Sequence, residues 1–104
     1  MILPSIPPGA RKVPTLESMI MIHAGLVMDL FAIDAATISS DFDEARFLTM
    51  VLAQNADSAG LTMVAEAAAR MTLALGPEGH SPGEAFGLCL IEVEEALRAA
   101  DPIQ

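Results

Sequence analysis

Between residues 41 and 100, apolar positions recur at intervals of three and four, the spacing that lines one face of an α-helix. They fall into three blocks. Phe42, Ala45, Leu48, Val51 and Leu52 make the first, and Leu61, Val64, Ala65, Ala68, Met71 and Leu75 the second. Phe86, Cys89, Leu90, Val93 and Leu97 make the third. An earlier block, from about Thr15 to Ala36, is apolar almost without interruption.

Local signals delimit these blocks. Pro14 precedes the first helix, Thr15 suits its N-cap, and Glu17 complements the positive helix start. Asp41 followed three residues later by Glu44 has the form of a capping box, opening a second helix that runs to about Asn55. Asn55-Ala56-Asp57-Ser58 reads as a break and a new cap. The third helix carries Glu66 and Arg70 as an i,i+4 pair and stops at Gly76-Pro77. Ser81-Pro82-Gly83-Glu84 puts Ser at the N-cap, Pro at N1 and Glu at N3 of the fourth helix, whose end is set by Asp101-Pro102. Gly83 and Gly87 are spaced to allow a close helix crossing.

The fold expected is all-α, a four-helix bundle-like or orthogonal helical array of one domain over residues 15–104. Residues 1–14 contain Pro4, Pro7, Pro8, Gly9 and Pro14, which predict an extended or flexible Pro-rich N-terminal arm. Composition agrees. The chain is 53% hydrophobic, yet has four Phe and no Trp or Tyr, so its apolar content is of the Ala and Met kind that suits helices.

Charge narrows the functional classes. Five basic residues face 14 acidic ones, for a net charge of −9. Arg11 and Lys12 adjoin, whereas Arg46, Arg70 and Arg98 are scattered, so the clustered cations needed for direct nucleic-acid binding are missing. The same charge disfavours an anionic membrane surface. The apolar run from Leu16 to Ile33 holds Glu17, His23 and Asp29, too many polar groups for an easy span. The single Cys89 excludes an intramolecular disulfide. Met1–Pro8 lacks a basic n-region. The expected location is cytoplasmic, with no membrane association.

Neither histidine has an acidic residue three positions before it, as a di-iron Glu-x-x-His would require. H-E-x-x-H, the phosphate-binding loop G-x-x-x-x-G-K-[ST] and the G-x-S-x-G elbow are absent. No cofactor is expected, and the enzyme reading is the weaker one. His23, mid-helix in an apolar stretch with Asp34 eleven residues on, marks the one polar pair that invites a base or metal site. His80 reads as a solvated loop residue.

The first helix carries the functional expectation. At about 100° per residue, Glu17, His23 and Asp29 project roughly 120° apart, and apolar side chains fill every sector between them. Three companion helices, each keeping its own polar face wet, leave part of such a helix uncovered. A homodimer is therefore expected, with Ser18, Ile22, Gly25, Asp29 and Ala32 as the self-association surface and Met19, Met21 and Met28 packing around it; the competing expectation is that Ile2, Leu3 and Ile6 of the arm fold back over the helix within a monomer. The reading is a non-enzymatic helical interaction or accessory protein that acts through self-association and contacts with a protein partner. Two alternatives from other classes are a small-molecule or metal site around His23 and an acidic, immunity-type inhibitor of a basic protein.

Overall fold

The computed structural model describes residues 15–103; the arm expected over residues 1–14 lies outside the described residues. Four helices follow in order: α1 (Leu16–Ile38), α2 (Phe42–Ser58), α3 (Thr62–Leu75) and α4 (Ala85–Ala99). No strand occurs among the described residues, and the architecture is all-α. Each helix packs along the next in sequence, whereas α1 and α4 meet over only a short stretch. The result is a four-helix arrangement left partly open along its α1–α4 seam.

The first two connections share one design. After α1, Ser40 turns into the left-handed region at φ 59°. Its N–H then bonds Thr37 O, and the Asp41 N–H bonds Ala36 O at 2.8 Å. After α2, Gly60 takes φ 77°, its N–H bonds Asp57 O, and the Leu61 N–H bonds Ala56 O at 2.9 Å. Both are Schellman ends, which satisfy carbonyls that the helix itself leaves open. In each case the next residue is already at work, because Asp41 and Leu61 are the N-caps of α2 and α3. Asp41 Oδ1 accepts from the Glu44 N–H, as the capping motif predicts.

The break expected at Asn55–Ser58 therefore moves. α2 runs through those residues and ends at Ala59-Gly60, because the left-handed glycine stops the helix where three polar side chains only tolerate a stop. Along α2 and α3 the core comprises Ala45, Leu52 and Ala56 facing Val64, Ala67, Ala68, Met71 and Leu75. Small residues at Ala45, Ala56, Ala67 and Ala68 let these backbones approach closely. Thr49 is the one buried polar residue among those described, and its hydroxyl donates to Ala45 O at 2.7 Å. Phe86, Cys89, Val93 and Leu97 complete the core from α4, with Cys89 a buried free thiol.

The third connection, residues 76–84, is built differently. Arg46 reaches from α2 to the C-terminal end of α3: Nε donates to Gly76 O at 2.9 Å and Nη2 to Leu75 O at 3.2 Å. Nη2 also bonds His80 O, and Nη1 pairs with Asp43 at 3.0 Å. The guanidinium is largely covered, so these charge-assisted bonds act in a region of reduced solvent screening. The Gly83 N–H adds a bond to Ala74 O at 3.1 Å.

These tertiary bonds override the local capping signal. α4 begins at Ala85, its N-cap is Glu84 with helical φ and ψ, and no side chain caps it. Ser81 is thus not the N-cap, because the segment from Ser81 to Gly83 is drawn across the end of α3 instead. Gly87 is exposed with open space around it, so the Gly83/Gly87 pair makes no close helix crossing. Arg70 also differs from expectation, bridging α3 to α4 through Glu92 at 3.2 Å rather than pairing with Glu66.

Two stability measurements follow. Ser40→Gly should raise the denaturation midpoint by the equivalent of about 0.5–1 kcal/mol, since the left-handed conformation is kept and glycine adopts it without a Cβ penalty. Arg46→Met should cost about 2–3 kcal/mol, because several α3 carbonyls lose a charged donor, whereas Ser81→Ala should leave the midpoint nearly unchanged. A small Arg46→Met effect would mean that solvent replaces the guanidinium at no cost.

Candidate interaction surface

α1 turns one stripe inward, consisting of Leu26, Ile33 and Ala36, with Val27 and Leu30 partly buried beside it. Two of its three central polar groups flank that stripe and are occupied. Asp29 Oδ2 accepts from the Asn55 side chain of α2 at 3.4 Å. On the other flank, His23 Nε2 lies 2.6 Å from Leu97 O, in the last turn of α4. A carbonyl can only accept, so this ring nitrogen carries the proton and donates. His23 therefore helps satisfy the C-terminal end of α4, a helix terminus that favours a donor.

The structure does not bring His23 and Asp34 together as a site. Eleven residues separate them by about 16 Å along the helix, and Asp34 is exposed. No cluster of three or more His, Cys, Asp or Glu side chains suited to a metal exists among the described residues. His80 is exposed in the α3–α4 loop. A polar hollow of about 260 Å³ there is edged by Asp41, Asp43, Arg46 and His80. Its guanidinium is already committed to the carbonyls at the end of α3.

The opposite side of α1 faces water and is apolar along its whole length. Met21 is 69% exposed, Met28 66%, Phe31 65% and Ile38 78%, with Ala24 and Ala35 exposed between them. In sequence order, Met21, Ala24, Met28, Phe31, Ala35 and Ile38 alternate steps of three and four, the spacing of a coiled-coil seam. Glu17 is the charge nearest its midline, at the N-terminal end, and exposed Asp34 borders it toward α4.

The strip expected from sequence lies along the α2-side edge of this face. Gly25 and Ala32 are exposed, Ile22 is 40% exposed, and Ser18 and Asp29 are half-buried toward α2. Met21, Ile22, Gly25, Leu26 and Asp29, with Asn55, Ser58 and Ala59 of α2, line an open groove of about 400 Å³. Sequence reasoning placed Met21 and Met28 around that strip but did not single out the Met21–Met28–Phe31 row. The signal was its three-four spacing, masked because apolar side chains fill every sector of α1, and the packing shows which side is covered. A second, smaller groove joins Leu30, Phe31 and Asp34 to Leu90, Ile91 and Glu94 of α4.

Compared with protein-family models, curated proteins and solved structures, the chain matches none of them.

His23→Leu should lower stability by about 1 kcal/mol through loss of the Leu97 bond. An unchanged denaturation midpoint would show that the imidazole contributes nothing there.

Proposed function

We propose that this chain is a non-enzymatic interaction protein, an accessory or regulatory subunit that works through self-association and protein contacts. The observation that carries this reading is the solvent-facing side of α1. Fully burying a Met, Ile or Phe side chain is worth about 1.5–3 kcal/mol, and four such residues stand in one row here. A contiguous apolar face running the length of a helix marks a place where another surface sits.

Two competing uses of α1 fit less well. By length and composition the helix is able to cross a membrane. It lies along α2, however, whose exposed Asp43, Glu44 and Asp57 would have to enter lipid beside it, at high cost. A metal or small-molecule site around His23 lacks a second ligand: Nε2 bonds Leu97 O, and no group of three or more His, Cys, Asp or Glu side chains suited to a metal lies together among the described residues.

The test is the mass of the full chain in solution, by sedimentation or light scattering over a micromolar concentration series. The expected outcome is a species of about twice the 10.9 kDa chain mass, falling on dilution. Gly25→Leu should weaken it by overpacking the contact. That variant is a clean probe, because a Cβ at Gly25 meets nothing within 4 Å in one copy. A monomeric mass at every concentration would refute the reading.

A further inference from the structure

We infer that two copies pair through α1 in antiparallel fashion, on a two-fold axis beside Met28. This rests on the self-association reading above and specifies its geometry. Its basis is the order of large and small residues on the exposed face.

Met28 lies near the midpoint of α1, and the face is not symmetric in size about it. Seven residues before it is Met21 and seven after it is Ala35, both close to the centre of the exposed face. A perpendicular two-fold axis at Met28 therefore sets Met21 of one copy against Ala35 of the other, large against small. Toward α4, Phe31 of one copy falls over Ala24 of the other. Toward α2, Gly25 falls against Ala32, where two small residues let the backbones come close. On either side of the axis, where Met28 meets its own copy, Met21 and Phe31 thus meet small residues, the arrangement by which helices interdigitate without voids.

A parallel pair has none of these matches. It sets Met21 against Met21 and leaves Ala35 against Ala35, overfilled at one end and hollow at the other. It also places Glu17 against Glu17, the charge nearest the midline against its own copy. The antiparallel pair moves Glu17 to the level of Ser39 and opposes the two helix dipoles.

The order of large and small residues, complementary to its own reverse, identifies the occupant as a second copy meeting this face. The α2 and α4 faces expose carboxylates, Asp43 and Glu44 on the one and Glu92, Glu94 and Glu95 on the other, beside apolar Phe47 and Leu88, and α3 exposes Met63 and Leu73 beside Glu66 and Arg70. Two copies repel each other through the α2 and α4 faces, whereas the α1 face is close to neutral. The size of the contact agrees with a reversible pair. A helix of 23 residues is about 34 Å long, and two such helices alone make a contact near the small end of stable interfaces, roughly 1,200 Å² in total.

Single cysteines introduced on the face, in a Cys89→Ala background, test the register under mild oxidation. Met28→Cys should cross-link to itself, at least tenfold faster than Met21→Cys alone. Met21→Cys mixed with Ala35→Cys should give the mixed disulfide in preference to either homodimer. Rapid self-cross-linking of Met21→Cys would establish a parallel pair and overturn the inference. A dimeric mass with no cross-link at Met28 places the interface elsewhere and also overturns it, while leaving self-association standing. A monomeric mass removes both. Reduced Met28→Cys must keep the dimeric mass of the parent, which shows that the substitution itself has not broken the contact.

Discussion

The two tight corners between the first three helices determine which surfaces of this protein meet water. In each, the residue that completes one helix end also caps the next helix, so the connection has no slack. α1, α2 and α3 must lie side by side in order, and α1 gains a full neighbour on one side only. α4 can approach α1 only after a longer loop, and that loop is held against α3 by Arg46 and by the Gly83 backbone. The bond from His23 to Leu97 ties α4 to α1 at one point rather than along a seam. A helix apolar on every side is thereby left with one side open.

Much of this was legible in the sequence, and for identifiable reasons. The inward rows of α3 and α4 follow the three-four spacing, and Val64, Ala68, Met71, Phe86, Cys89, Val93 and Leu97 are buried as expected. Asp41 caps α2 because its signal is local and nothing distant competes. Ser81 fails for the opposite reason. Its neighbours serve the end of α3, and the partner that draws them there, Arg46, is more than thirty residues away. No local pattern distinguishes that arginine from a solvated one. The Ala59-Gly60 corner was hidden by the polar run before it, and the left-handed Ser40 by its resemblance to an ordinary capping cluster.

The interaction surface was partly legible. The even spread of Glu17, His23 and Asp29 around α1 indicated that no side of the helix is built for water alone. It did not indicate which side would be left over. That depends on where α2 and α4 lie, and their positions turn His23 and Asp29 inward to bond while Met21, Met28 and Phe31 remain outside. The same packing commits Nε2 of His23 to Leu97 O, so the imidazole ties α1 to the end of α4.

Amide hydrogen exchange read residue by residue at high and low protein concentration tests most directly whether α1 is incomplete in one copy. If a second copy covers its outer face, protection across residues 16–35 rises with concentration. Protection in α3, enclosed by α2, α4 and the Arg46 bonds, then changes far less. Protection of α1 that is the same at both concentrations would contradict the account, because a helix already complete within one chain has nothing to gain from a second.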